Sequence, residues 1–380
     1  MKSFRRKEVT MAKRRKSTVP KVPHIRYFDY NLLAIVLLLL IFGMVMLYSA
    51  SAYMSTIKFG DPAYWLRKQA IAASLGMFAL AICIKLDYHI FQKFAFPFAV
   101  VSLILCVYVL FTESINGSSR WIYIGGLSIQ PSEIAKVAVI VFLAALIAKI
   151  PRELRDTKQV LKCFLFVSPI LGAVALANLS TAIIIAGIAF VMLFVASPDK
   201  KAFLALIAIG VLGLVFFITA FSYRSERIDI WRHPENYDKG FQTLQGLYAI
   251  GSGGLFGRGL GESMQKMGYV PEAQNDMIFS IICEELGVFG AVCIIVLYLL
   301  LIWRLMIIAI NAKDLFGSYL AVGVLTHIAL QVILNIAVVT NTIPNTGVIL
   351  PFISYGGTSI SVLVAEMGMV LSVSKGIELT

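Results

Sequence analysis

The stretch YVPEAQNDMIFSIICEELG, residues 269–287, brings three carboxylates to the edge of apolar sequence: Asp276, Glu284 and Glu285. Ionisable groups are costly in hydrocarbon, so each needs a partner or a task. Asp276 stands at the threshold, where a partly desolvated carboxylate can accept a proton from a hydroxyl. Glu284 and Glu285 lie eight and nine residues further on, roughly 12–14 Å deeper at 1.5 Å per residue. At 100° per residue they sit about 80° and about 180° around a helix from Asp276, so the three cannot share one face. A structural role for the pair, against Lys136 or a backbone group, is the better reading, and catalysis by them the lesser one.

Four polar clusters interrupt the apolar sequence. The first, NGSSRWIYIGGLSIQPSEIAK (116–136), supplies Arg120, Trp121, Glu133 and Lys136. Glu133 and Lys136 are spaced i,i+3, so they can neutralise each other, or Lys136 can reach a ligand anion. The second, ANLSTA (177–182), joins two helices, and Asn178 or Ser180 can cap the following one. The third, residues 223–276, carries Arg224, Arg227, Arg258 and Lys266, which can bind a phosphate headgroup or lie in a solvated, charge-balanced loop. Its run GSGGLFGRGLG lacks the strand–helix–strand context of a dinucleotide site and instead permits a tight, re-entrant backbone. The fourth, NTIPNTGVILPFISYGGTS (341–359), has prolines and turn formers but no charge, so it shapes a site or turn; Ser354 is its candidate substrate contact.

The elements that must position these residues are membrane helices. The 380-residue chain is 59% hydrophobic and 14% charged, more apolar than a soluble core can use. Ten segments of spanning character are expected, near 31–50, 67–86, 94–112, 133–150, 160–177, 179–196, 202–222, 274–303, 315–340 and 352–374. The fold class is therefore all-α: a polytopic membrane protein with one large extracellular loop, 223–275. The domains are a basic cytoplasmic tail (1–30), a membrane domain (31–374) and a short cytoplasmic C-terminus (375–380). Ten Lys/Arg against two acids in the tail supply +8 of the net +12, which places both termini in the cytoplasm by the positive-inside rule. Attraction to anionic lipid explains that tail more simply than nucleic acid, so no nucleic-acid partner is expected. No cleaved signal peptide is read before the first span. The five cysteines lack metal or disulfide spacing, and no metal ligand set is assigned. All four clusters then open outward, as a cavity for an anionic amphiphile with a phosphate and a lipid tail.

The motifs NGSSRWI…LSIQPSEIAK, YAIGSGGLFGRGLGESMQK…VPEAQNDMIFSIICEELGVFG and NTIPNTGVILPFISYGGTS resemble those of the shape, elongation, division and sporulation family of peptidoglycan glycosyltransferases. The resemblance spans nearly the whole chain, and GRGLGESMQK is closer to the division and sporulation branch. It implies ten helices and polymerisation of lipid II, the undecaprenyl-pyrophosphate-linked disaccharide pentapeptide, on the outer face of the bacterial cytoplasmic membrane. It also implies a divisome-type assembly with a single-span class B penicillin-binding protein, a transpeptidase. The family's essential acid falls on Asp276, with Asn275 in place of the usual Thr. The family's QPSE..K motif is matched by Gln130, Pro131, Ser132, Glu133 and Lys136. Where the family has PDLGT this chain has ANLST, so Asn178 replaces an acid.

That reading makes Asp276 the base, accepting the acceptor's 4-hydroxyl proton in an inverting, β-1,4-forming displacement of undecaprenyl pyrophosphate. Lys136, Arg224 and Arg227 are the leading cations for the pyrophosphate; Arg120, Arg258, Lys266, Glu133 and Ser354 complete the substrate-binding candidates. A divalent cation such as Mg2+ or Mn2+ suits the same charge, although no ligand spacing specifies one. The competing readings are a lipid II flippase, which needs the cavity but no base, and a non-catalytic scaffold for the transpeptidase.

Overall fold

The computed structural model describes residues 27–112, 120–124, 127–219 and 222–377. Most of the basic tail, residues 113–119 and 125–126 in and beside the first polar cluster, residues 220–221 and the last three residues lie outside that description. The helices are α1 (Tyr30–Phe59), α2 (Tyr64–Lys85), α3 (His89–Lys93), α4 (Ala95–Val109), α5 (Pro131–Lys149), α6 (Thr157–Ala177) and α7 (Leu179–Ala196). They continue with α8 (Lys201–Thr219), α9 (Ser222–Arg232), α10 (Phe241–Ser252), α11 (Ile278–Asn311), α12 (Leu315–Val339) and α13 (Gly357–Ser374). A hairpin of β1 (Ile122–Ile124) and β2 (Leu127–Ile129) lies between α4 and α5.

Among the described residues, eight helices are long and apolar enough to cross a membrane, and α4 and α8 add two shorter apolar ones. The chain is an all-α, multi-pass membrane protein, as its composition requires. An even number of crossings returns the chain to its starting face. Accordingly, the Tyr27 amide donates to the Ile377 carbonyl, and Arg304 on α11 forks onto Asp29 just ahead of α1. α5 and α13 are the most enclosed spans, with α12 packed against both. Exposed Leu, Ile and Phe on the outer helices then face lipid.

Three local features depart from the sequence expectation. The 223–275 segment is not simply a loop, because α9 and α10 fold within it. The last span begins at Gly357, later than 352, because PFISYGG makes turns instead of continuing a helix. The eighth span starts at Ile278, leaving Asp276 in a turn ahead of the helix, and kinks at Gly287 (φ 67°, ψ −167°).

The kink is filled by the glycine-rich run. The amides of Arg258 and Gly259 donate to the carbonyls of Glu284 and Glu285, while those of Val288 and Phe289 donate to Gly254 and Leu255. A re-entrant backbone thereby completes the hydrogen bonds that a broken helix leaves open in lipid. A Cβ on Gly257 would lie 2.1 Å from the Glu285 carbonyl oxygen, so the approach is possible only for glycine.

Candidate active site

Members of all four polar clusters converge on one cavity of about 280 Å3, at the end of the bundle opposite the termini. Pro131 at N1 starts α5 immediately after the extended Gln130. Glu133 and Lys136 then face inward one turn apart, with Lys136 Nζ 2.9 Å from Glu133 Oε1 and both side chains buried. The hairpin is pinned to α13 by Thr358, whose hydroxyl donates to the Ser128 carbonyl at 2.7 Å and accepts from the Gln130 amide at 3.2 Å. Arg120 precedes that hairpin and donates to the Ala177 carbonyl at 3.3 Å, reaching across to the α6–α7 junction. There Asn178 caps α7, its Oδ1 accepting from the amides of Ser180 and Thr181.

Asp276 is fixed from behind by Asn335 of α12, whose amide donates at 2.8 Å to the Asp276 carbonyl and at 2.8 Å to that of Val348. Its carboxylate accepts a long hydrogen bond from Gln242 Nε2 at 3.4 Å. Burial pushes the carboxyl up to about 7; its own backbone amide and Arg227 oppose the shift, and Glu272 adds to it. A second cavity of about 270 Å3 lies on the other side and shares Arg120, Asp276 and Gly347 with the first. A third, of about 330 Å3, shares Arg120 with both and is walled by Leu179, Ile183, Ile228, Leu334 and Ile343. The backbone around these cavities is strained: Glu272 (φ 55°) in the first and Asn341 (φ 54°) in the second occupy the left-handed region that side chains avoid.

The expected site residues do not all gather here. Glu133, Lys136, Arg120 and Asp276 line the first cavity, and Arg227 lines the second and third while donating to the Asn345 carbonyl. Arg224 lies on α9, and its side chain is outside the described atoms. Lys266 is displaced from the site: it is buried, 2.7 Å from Glu285 Oε1 and 3.0 Å from Ser49 Oγ. Arg258 is drawn off likewise, its guanidinium 3.4 Å from Glu284. Ser354 does not face the cavity, because its hydroxyl accepts from the Leu350 amide at 2.8 Å and staples the turn.

The glutamates do not pair with Lys136. Glu284 accepts from Ser263 Oγ at 2.5 Å and from the amides of Met264 and Gln265, while Glu285 holds Lys266. They clamp the outer segment that ends in Asp276. Residues not singled out from the sequence include Glu272, Gln331 and Tyr355 in the first cavity wall, and Gln242 and Asn335 around Asp276. The i,i+4 spacing of Gln331 and Asn335 inside an apolar span was the available signal.

The donor set does not fit a resident divalent ion. Among the described residues no three His, Cys, Asp or Glu side chains converge, and Glu133 already holds Lys136.

The sequence matches the cell cycle protein family of FtsW, RodA and SpoVE over residues 30–378. It is 40% identical over 354 residues to stage V sporulation protein E of Bacillus subtilis, covering 91% of this chain and 97% of that protein. It is 37% identical over 359 residues to the probable peptidoglycan glycosyltransferase FtsW of Trichlorobacter lovleyi, covering 93% and 94%. Among solved structures it is similar to a chain from a peptidoglycan synthase complex that coordinates polymerization and crosslinking (TM-score 0.75, 27% identity, covering 91% of this chain and 97% of that one). It is also similar to the rod shape determining protein RodA of Thermus thermophilus (TM-score 0.66, 26% identity, covering 91% and 96%). With its whole membrane domain matched in sequence and in fold, this chain belongs to the FtsW/RodA/SpoVE family of cell cycle proteins.

Proposed function

We propose that this protein is a peptidoglycan glycosyltransferase that polymerises lipid II at the outer face of the bacterial cytoplasmic membrane, in cell division or sporulation. Both termini lie in the cytoplasm on this reading, in keeping with the cations of the tail. The observation that carries it is Asp276, a buried carboxyl held near neutrality between two cavities that meet at its side chain. Two cavities suit two sugars. A base poised near working pH suits a hydroxyl nucleophile, and a flippase has no use for it.

In this mechanism the acceptor's GlcNAc 4-hydroxyl lies against the Asp276 carboxylate and the donor's MurNAc C1 faces it. As the O4–C1 bond forms, the hydroxyl proton passes to Asp276 and the C1–O bond to pyrophosphate breaks, the leaving oxygen keeping the electron pair. One displacement turns the α-linked donor into a β-1,4 link. Lys136 and Arg120, which both line the first cavity, offset the charge that develops on the pyrophosphate. The third cavity's apolar wall gives the undecaprenyl chain a way to the lipid. The partner is a single-span class B penicillin-binding protein, the transpeptidase that crosslinks the new strand; the likeness to a chain of a synthase complex supports that pairing.

The test supplies the purified protein and that transpeptidase with lipid II. Glycan lengthening that is lost in Asp276→Ala is expected. Polymerisation at the parental rate by Asp276→Ala removes the base assignment. Movement of lipid II across vesicles without lengthening favours a flippase, and neither activity favours a scaffold.

A further inference from the structure

Gln331 on α12 is 2% exposed and lines the first cavity, yet its Oε1 is buried without a hydrogen-bond partner. A bare carboxamide inside a membrane bundle is costly, so it needs a partner that arrives or a task. Gln331 lies four residues before Asn335 on the same helix face, about 6 Å deeper at 1.5 Å per residue. Asn335 holds the Asp276 carbonyl, so this amide sits about one turn below the proposed base. Neither the base nor the cations of the glycosyl transfer account for it.

Its surroundings narrow what it can meet. Glu133 has Lys136 Nζ at 2.9 Å, and the Ser359 hydroxyl of α13 acts on the same carboxylate. Those groups answer one another, and Gln331 is left over. A carboxamide offers an acceptor and two donors, and its terminal torsion is broad and two-fold, so either end can turn to the cavity. A pyrophosphate answers only the donor end. A secondary amide, with one N–H and one C=O, answers either. The same cavity has an apolar wall in Ile184 of α7 and Val348. α7 and α12 meet closely at this depth, where a Cβ on Gly187 would lie 2.6 Å from Leu330 Cδ1. Such a wall suits a methyl group better than a hydroxyl.

We propose that Gln331 is a specificity residue that binds the 2-acetamido group of the donor sugar, its amide hydrogen-bonded to that group and the acetyl methyl set against Ile184 and Val348. The proposal rests on the reading of this cavity as the donor site of a glycosyltransferase. The chemistry of the donor agrees with the placement. C2 is bonded to C1, the carbon attacked beside Asp276, and the pyrophosphate on C1 meets Lys136 and Arg120 in the same cavity. A 2-hydroxyl brings a donor but no methyl and no carbonyl. A sugar lacking the acetamido group is rejected because it leaves the buried amide bare.

Three substrates test it: lipid II, an analogue with a hydroxyl in place of the acetamido group on the MurNAc ring, and one with that change on the GlcNAc ring. The parental kcat/KM is expected to fall about a hundredfold from lipid II to the MurNAc-ring analogue. Parental indifference to that change overturns the proposal without any variant. Gln331→Met keeps the side chain's length and removes its amide. It should lose about thirtyfold on lipid II and on the GlcNAc-ring analogue, and under about threefold on the MurNAc-ring analogue. Equal losses on all three would make Gln331 a contact within the bundle, to Asn335, whose Oδ1 is also unpartnered, and would defeat the proposal. Insensitivity on the GlcNAc-ring analogue instead would defeat the assignment to the donor sugar. Binding in detergent gives the same comparison without turnover: the parent chain should hold lipid II about tenfold tighter than the MurNAc-ring analogue, and Gln331→Met should hold both alike. If the parent chain binds lipid II but does not polymerise it, the glycosyltransferase reading fails, and the two Kd values still decide what Gln331 recognises.

Discussion

Asn335 donates through one side-chain nitrogen to the backbone carbonyls of Asp276 and Val348, both at 2.8 Å. A single buried amide thus ties the turn carrying the proposed base to the turn that follows α12. Asn335→Ala leaves two buried carbonyls unpartnered, at about 1–3 kcal/mol for each lost partner. The expected result is a lower unfolding temperature in detergent and a polymerisation rate down by about tenfold or more, since small displacements of a catalytic group are costly. Asn335→Gln, which keeps the donor on a longer arm, should recover part of the stability and less of the rate. Equal recovery of both would separate this contact from the placement of Asp276.

The raised Asp276 carboxyl sets a pH dependence whose sign is fixed. A base must be unprotonated, so kcat should climb with pH to a plateau above about 7. Arg227 acts to lower this group and Glu272 to raise it. Arg227→Gln should therefore move the limb to higher pH, and Glu272→Gln should move it lower. The same shift bears on stability. The folded chain binds this proton more tightly than the unfolded one, so the contribution falls as pH rises from 3.8 toward about 7. Asp276→Asn should consequently unfold at a higher temperature than the parent at alkaline pH while losing polymerisation. A pH–rate profile and melting curves at two pH values check both.

Parts of the molecule differ in how directly their residues declare their place. The spans are legible because hydrocarbon imposes a length and a composition, and the sixth segment, 179–196, matches α7 at both ends. Asp276, Glu133 and Lys136 are legible because ionisable groups beside apolar runs must have a reason to be there. The fates of Lys266 and Arg258 are not, since any basic residue in a polar loop could face a phosphate. Only the fold of the run 253–268 back along α11 brings those two to Glu285 and Glu284. The kink at Gly287 was equally hidden. A glycine in an apolar helix is usually tolerated, and what breaks this one is a distant backbone that fits against it.

The Lys266–Glu285 pair is the stronger of those two clamps, with Glu285 fully buried and Lys266 nearly so. Removing one partner of such a pair strands the other charge, at about 3–5 kcal/mol, whereas replacing both with apolar groups is often close to neutral. Lys266→Met should therefore lower the unfolding temperature and the activity together. The double variant Lys266→Met/Glu285→Leu should regain most of both. A double variant that regains stability but stays inactive would mean Lys266 meets substrate after all.

Gly257 offers the sharpest structural test of the re-entrant loop. Its φ of +76° disfavours any side chain, and an added Cβ would meet the Glu285 carbonyl oxygen at 2.1 Å and Gly287 N at 2.6 Å. These are backbone atoms of α11, so no rotamer can relieve the clash. Gly257→Ala must push the loop off the kink, opening the hydrogen bonds from Arg258 and Gly259 to α11 and loosening the Glu284 and Glu285 clamps. Gly251→Ala, one turn before the loop with open space around its Cα, serves as the control. We expect faster amide hydrogen exchange across residues 254–268 and reduced polymerisation in Gly257→Ala, with neither change in Gly251→Ala. Parental exchange in Gly257→Ala would show that the loop does not need this backbone contact to stay in place.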